Sequence, residues 1–122
     1  MDEVVRAALA ADRIVDITTI GKKSGLPRRK EIWLWTLELG GHAISGRPDR
    51  PRDWLANLLA HPEFTVHVKR GAQADLRARA VPVADPAERR RIIEEIARRS
   101  DQQHSIEDRM ARSPLVRVEF LE

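Results

Sequence analysis

Hydrophobic and polar positions alternate along most of this 122-residue chain at two different periods, and the switches between them mark the elements. Residues 2 to 11 carry a Val5, Leu9 stripe behind Asp2, the pattern of a short capped helix. Arg13 to Ile20 is β-branched and reads as a strand. Ile32 to Leu39 reads as a second strand and His42 to Ser45 as a third, joined by a Gly40-Gly41 hairpin turn into a meander. Two prolines in Gly46-Arg47-Pro48-Asp49-Arg50-Pro51 end the β pattern and feed a helix from about Arg52 to Ala60. Its Trp54, Leu55, Leu58 and Leu59 are expected on one buried face.

After His61-Pro62, Phe64 to Lys69 and Ala74 to Val83 read as a hairpin through Gly71. Asp85-Pro86-Ala87-Glu88 has a cap, a proline at the first helical position and a capping-box glutamate, so a helix with Ile92, Ile93 and Ile96 inward is predicted. A second short helix starts at Ser105. Leu115 to Leu121 is a closing strand. The sum is mainly β with an α+β character: about six mostly antiparallel strands in a barrel with flanking helices, because closure removes exposed edges. A parallel nucleotide-binding fold is disfavoured, since the glycine loop leads into a strand and not a helix.

Between the first two strands lies Gly21-Lys22-Lys23-Ser24-Gly25-Leu26-Pro27-Arg28-Arg29-Lys30. Backbone N–H groups, the Ser24 hydroxyl and the cations of Lys22, Lys23, Arg28 and Lys30 are the chemistry that grips a phosphate or carboxylate. The competing reading is a solvated basic turn. Net charge is only +3, from 22 Lys and Arg against 19 Asp and Glu, so clustering matters more than the total. A second basic cluster is Arg47, Arg50 and Arg52, whereas the run from Glu88 to Arg99 reads as a solvated helix face with i to i+4 pairs.

Size and composition fit a single domain over residues 1 to 122. With no cysteine, disulfides and thiolate chemistry are excluded. The four histidines, His42, His61, His67 and His104, show no paired-ligand spacing, so no metal site is expected. No apolar run is long enough for a membrane span and no leader pattern begins the chain, so a cytoplasmic protein is expected. Aromatic content of 4% argues against a stacking platform for single-stranded nucleic acid.

Thr18-Thr19-Ile20-Gly21-Lys22-Lys23-Ser24-Gly25-Leu26-Pro27-Arg28 resembles the signature loop of the deazaflavin-dependent nitroreductase family, within the split β-barrel flavin and deazaflavin oxidoreductases. The segment Trp54-Leu55-Ala56-Asn57-Leu58-Leu59-Ala60-His61-Pro62 is similar to that family's Trp-x-x-Asn-Leu-x-x-x-Pro helix. The resemblance covers roughly residues 14 to 100. It implies a split barrel that binds coenzyme F420, a deazaflavin with a phosphodiester and an oligoglutamate tail, and passes a hydride to a quinone, an activated alkene or a nitro compound. By motif position, Lys22, Lys23, Ser24 and Arg28 would contact phosphate or tail, with Lys30 in reach of the tail. Ser45, Gly46 and Arg47 would complete the cradle, and Trp54 and Asn57 would flank it.

Ile20, Ile32, Trp33, Trp35 and Ile44 would line the ring site. FMN on the same barrel is the enzymatic alternative, and a non-catalytic cofactor carrier or a nucleic-acid-binding barrel are alternatives from other classes. Asn57 either binds a ligand or satisfies backbone. Family members are often dimers, and the Trp33/Trp35 face suits an interface, which leaves homodimerisation open. The chain has no tyrosine, whereas the best-known family members carry tyrosines before the last strand. His104 is the residue of that region able to donate a proton, and the catalytic residues are otherwise unassigned.

Overall fold

The structure is a computed structural model that describes residues 1–48, 52–100 and 105–121. Helix α1 (Glu3–Ala11) starts where the Asp2 carboxylate accepts the Val4 N–H at 2.7 Å, and it buries Ala8 and Leu9. Strand β1 (Ile14–Ile20) alternates strictly, with Val15, Ile17 and Thr19 inward. It pairs antiparallel with β2 (Pro27–Trp33) on one side and with β5 (Glu63–Val68) on the other. The hairpin of β5 with β6 (Ala74–Pro82), then β7 (Leu115–Phe120), β4 (His42–Ser45) and β3 (Trp35–Thr36), completes an antiparallel sheet in the order β2-β1-β5-β6-β7-β4-β3.

The two edges of that sheet are one stretch of chain. Strand β2 ends at Trp33 and β3 begins at Trp35, so Leu34 alone separates pairing with β1 from pairing with β4. The Leu34 N–H donates to the Arg13 carbonyl at 2.7 Å, and its side chain is 1% exposed. This bend curls the sheet into a split barrel. The interior holds Leu9, Val15, Ile17, Leu34, Ile44, Leu58, Phe64, Val66 and Val116 in one core cluster. A second cluster joins Trp35, Leu37, Ala43 and Leu115 to Ile92, Ile93 and Ile96 of α3 (Pro86–Arg99).

Two sequence expectations are corrected here. The predicted second strand, Ile32 to Leu39, starts earlier, breaks at Leu34 and ends at Thr36, so Arg28 and Lys30 lie on a strand and not in a loop. Its first half shows no apolar alternation because its inward face borders an open groove instead of the core, which removes the period-2 signal. In α2 (Asp53–Ala60), Trp54 and Leu58 are buried as expected, but Leu59 is 57% exposed. The buried residues Trp54, Asn57 and Leu58 follow the i, i+3, i+4 spacing of one helix face, and Leu59, one position on, lies off that face.

The charged face of α3 also departs from a purely solvated surface. The Arg89 guanidinium donates to the carbonyls of Met110 at 2.9 Å and Ser113 at 2.6 Å, at the C-terminal end of α4 (Ile106–Arg112). There a cation meets the negative end of the helix dipole. The Glu95 carboxylate is buried and accepts the Glu38 N–H at 3.1 Å and an Arg99 N–H at 2.5 Å. The i to i+4 pairs themselves form, as Glu95 with Arg99 and Arg90 with Glu94.

Candidate active site

The chain from Gly21 to Leu26 turns tightly between β1 and β2. The Gly21 N–H donates to the Leu26 carbonyl at 2.8 Å and the Gly25 N–H to the Gly21 carbonyl at 2.9 Å. Gly25 sits at φ +69°, a region that β-carbons disfavour, which explains glycine there. The Ser24 hydroxyl folds back to accept the Leu26 N–H at 3.2 Å. Lysines 22 and 23 are thereby held outward at the tip, where both are exposed.

Asn57 fixes this turn to the barrel. Its side chain is 8% exposed, its Oδ1 accepts the Lys22 N–H at 2.9 Å, and its Nδ2 donates to Thr19 Oγ1 at 3.1 Å. One amide therefore ties α2, β1 and the basic turn together. Both of its polar atoms are engaged by the protein, so of the two roles open to it from sequence, satisfying nearby polar groups is the one seen.

Strand register puts Arg28 opposite Thr19 and Lys30 opposite Ile17. Directly paired residues project to the same face, so these two cations share the inward face of the sheet with buried residues. Beyond them opens a groove of about 920 Å³ lined by Ile17, Thr19 and Ile32, by the Gly21–Ser24 turn, by Ser45–Arg47, and by Trp54 and Asn57 of α2. All ten residues named from sequence as cofactor-binding border it: Lys22, Lys23, Ser24, Arg28, Lys30, Ser45, Gly46, Arg47, Trp54 and Asn57. Arg29 and Arg52 border it as well, and Asp53 is the one acid among its described residues. Lys22, Lys23, Arg28 and Lys30 form no ion pair with any described residue, so their charge is available to a ligand.

Gly46 lies against Trp54 of α2 and Pro114. A β-carbon there would meet the Pro114 ring at 3.1 Å, so that ring would have to give by a few tenths of an ångström, and would touch the Trp54 indole at an ordinary 3.5 Å. The Ser45 hydroxyl donates its proton to the Pro114 carbonyl at 2.5 Å. It consequently faces a ligand with lone pairs only, and its matching partner is an N–H or O–H donor. The Arg52 guanidinium donates to the Arg47 carbonyl, bracing the Ser45–Arg47 segment.

Ser45, Gly46 and Arg47 also form a wall of a second, smaller cavity of about 160 Å³, whose other walls are Trp33, Trp35, Ile96, Ser100 and Arg109. The two indoles meet edge to face at 5.9 Å, with Trp33 39% and Trp35 3% exposed. Arg109 is 1% exposed, and burial, reinforced by the field of Arg47, pulls its pKa down. Of the residues expected to line a ring site, Ile32 reaches the groove and Trp33 and Trp35 the small cavity. Ile20 and Ile44 reach neither, Ile44 being fully buried in the barrel.

Sequence reading passed over Arg109, Thr19 and Arg29. The available signal for Arg109 was its place three residues after Ile106 in a short helix, where an apolar residue belongs. His104, and Arg50 of the second basic cluster, lie outside the described residues.

The family model described as F420H(2)-dependent quinone reductase matches residues 3–119. The chain belongs to that family. It is therefore an F420-dependent oxidoreductase, and F420 is its cofactor. No curated protein matches the sequence significantly.

Among solved structures, a candidate 5-nitroimidazole antibiotic resistance protein from Bacteroides thetaiotaomicron is 12% identical with a TM-score of 0.75, covering 100% of this chain and 81% of the other. A FAD-binding protein from Mesorhizobium loti is 13% identical with a TM-score of 0.71, over 100% and 91%. A protein described as an F420 reductase is 16% identical with a TM-score of 0.67, over 100% and 97%. At these identities the likeness establishes the split-barrel fold and nothing more.

The groove fits the family's cofactor by its chemistry. A phosphodiester and an oligoglutamate tail carry several negative charges, and among the described residues the groove offers several cations against one acid in a volume suited to a cofactor-sized ligand. Among the described residues no helix is long and apolar enough to cross a membrane, and no three His, Asp or Glu side chains gather as metal ligands.

Proposed function

We propose that this oxidoreductase reduces a small quinonoid, activated-alkene or nitro acceptor, and that the groove between the Gly21–Ser24 turn, β2 and α2 holds F420. Residues 1–122 act in this reading as one deazaflavin-binding unit. The observation that carries it is the set of four cations, Lys22, Lys23, Arg28 and Lys30, that border one groove with no carboxylate paired to them among the described residues.

Each residue then has a physical task. Arg28 is the fork for a phosphate or carboxylate, since a planar guanidinium binds such groups bidentately. Lys22 and Lys23 at the turn tip and Lys30 farther along β2 are point charges for the flexible tail. Asn57 positions the turn, Ser45 accepts from a ring N–H, and Trp54 and Ile32 give the ring system apolar surface. When bound, F420H2 supplies the hydride; the protein orients, shields from water and neutralises charge.

The test is a parallel titration of the purified protein with F420 and with FMN by fluorescence, repeated on Lys23→Ala and Arg28→Ala. Selective, charge-dependent binding of F420 is expected, with each substitution weakening it about 10- to 100-fold, the size of a charge-assisted hydrogen bond. Binding of FMN with equal affinity, or indifference to both substitutions, would overturn the assignment of the groove.

A further inference from the structure

We infer that the free edge of β2 recognises the amide bonds of the oligoglutamate tail, which joins the sheet there as an added strand held by the main chain of Arg29 and Glu31. This deepens the proposed function and rests on the groove being the F420 site.

The phase of the hydrogen-bond ladder fixes which groups are free. In an antiparallel pair, every second residue turns its N–H and C=O toward the partner strand, and the residues between turn theirs away. At one end of the pairing with β1 the Leu34 N–H donates to the Arg13 carbonyl at 2.7 Å, and at the other the Gly21 N–H donates to the Leu26 carbonyl at 2.8 Å. Counting along the register from either end gives the same phase: Arg28, Lys30 and Ile32 bond Thr19, Ile17 and Val15. Arg29 and Glu31 therefore present N–H and C=O on the side away from β1. Strand β2 stands at the end of the sheet order, and no backbone group among the described residues pairs with theirs.

That edge belongs to the groove. Arg29 borders the groove although its guanidinium pairs with Asp16 on the outer face. Arg28 and Lys30 border it from the inner face, so a strand added beside them has carboxylates as its matching side groups. The Glu31 carboxylate offers little opposition, because Lys69 bonds it at 2.6 Å. Pro27 and three consecutive cations also discourage pairing with a second copy of the chain, as prolines and charges on edge strands do.

An anionic chain of amides answers both features, and its spacing agrees. Free groups on the edge recur every two residues, about 6.8 Å. The tail glutamates are joined through their γ-carboxyls, so successive amides are five bonds apart, about 6 Å when extended. Strand addition of this kind draws affinity from main-chain hydrogen bonds. It separates an oligoglutamate from a polyanion of equal charge that has no amides.

Proline tests the edge without touching the ladder, since at Arg29 or Glu31 it deletes an N–H that β1 does not use. F420 is titrated by fluorescence against Arg29→Pro with Arg29→Ala as its reference, and against Glu31→Pro with Glu31→Ala, with thermal unfolding recorded for each. Each proline variant is expected to bind F420 about 3- to 10-fold more weakly than its alanine reference, the size of one amide hydrogen bond. The tail-free deazaflavin chromophore should bind both members of a pair alike. In a second arm, tri-γ-glutamate and the same peptide N-methylated at both amides compete with F420 for the unsubstituted protein. The unmethylated peptide should displace F420 at about a tenth of the concentration or less.

Equal F420 affinity in folded proline and alanine variants overturns the proposal, and so do two peptides that displace F420 equally or not at all. If neither proline variant folds, the peptide pair decides it. Arg28→Ala, measured alongside, separates the two claims. F420 binding that weakens in Arg28→Ala but ignores the proline substitutions sinks the edge proposal alone. F420 binding indifferent to Arg28→Ala removes the groove assignment, and the edge proposal with it.

Discussion

The two faces of strand β2 carry the same kinds of side chain under opposite conditions. On the outer face, Arg29 pairs with Asp16 at 3.0 Å, and Lys69, just past the end of β5, bonds Asp16 at 2.8 Å and Glu31 at 2.6 Å. The polar ladder continues through Thr18, His67 and Asp75, each contact at 2.7 Å. On the inner face, one residue to either side of Arg29, Arg28 and Lys30 meet no acid among the described residues. Arg29 also borders the groove, but the strand's twofold alternation gives it Asp16 as a partner and gives Arg28 and Lys30 none among the described residues. Basic composition alone would treat all of these residues alike, and only register tells them apart.

The widest contrast is expected from replacing Lys22, Lys23 and Arg28 together with alanine. Three charge-assisted contacts at roughly 1.5 to 3 kcal/mol each correspond to a loss of at least about a thousandfold in F420 affinity. Arg29→Ala should change that affinity less than about threefold, measured in the same titration. If Arg29 mattered as much as Arg28, the distinction between faces would fail.

A next, smaller effect belongs to Asn57, which holds the basic turn without contributing charge. Asn57→Ala leaves the Lys22 N–H and the Thr19 hydroxyl without their partner, at about 1 to 3 kcal/mol in urea unfolding. F420 affinity should fall about tenfold at the same time, because the turn loses its anchor.

Much of this arrangement was legible from sequence because the signals are local. The caps at Asp2, Asp85 and Ser105, the Gly40-Gly41 turn and the β-branched run of β1 all depend on neighbours in the chain, and all appear as expected. The groove residues were found because their motif spans two contiguous segments. The break at Leu34 was not legible, since it arises from pairing with two strands far apart in sequence. Nor was the small cavity. Arg109 becomes a wall of it only when α4 packs beside the end of β4, and Arg89 caps α4 from another helix.

A half-buried group with no counter-charge among the described residues should differ from the ladder in its response to pH. His42 on β4 has its pKa lowered below the ordinary 6.5, first by burial and then by Arg6. The unfolded chain then binds more protons than the native one below that value, so stability falls as pH drops through about 6.5 toward the depressed native pKa and is flat above. Melting temperature measured from pH 8 to pH 5 should decline in that window, and His42→Asn should flatten the decline.

The smallest effect is on the outer face itself. Bonding to Lys69, then to Arg29, lowers the Asp16 pKa, so its contribution is present above 3.8 and lost as pH falls through the depressed value. Pairs at a wet surface are weak, and Asp16→Asn should cost about 0 to 1 kcal/mol at pH 7 with F420 affinity unchanged. A large loss of cofactor binding in Asp16→Asn would contradict the separation of the faces.

The most direct measurement compares F420 with its tail-free deazaflavin chromophore, titrated side by side at low and high salt. If the inner-face cations hold the phosphodiester and oligoglutamate, F420 binds about a hundredfold or more tightly than the chromophore, and salt erodes that advantage. Equal affinity for the two ligands, insensitive to salt, would mean that those cations do not hold the tail.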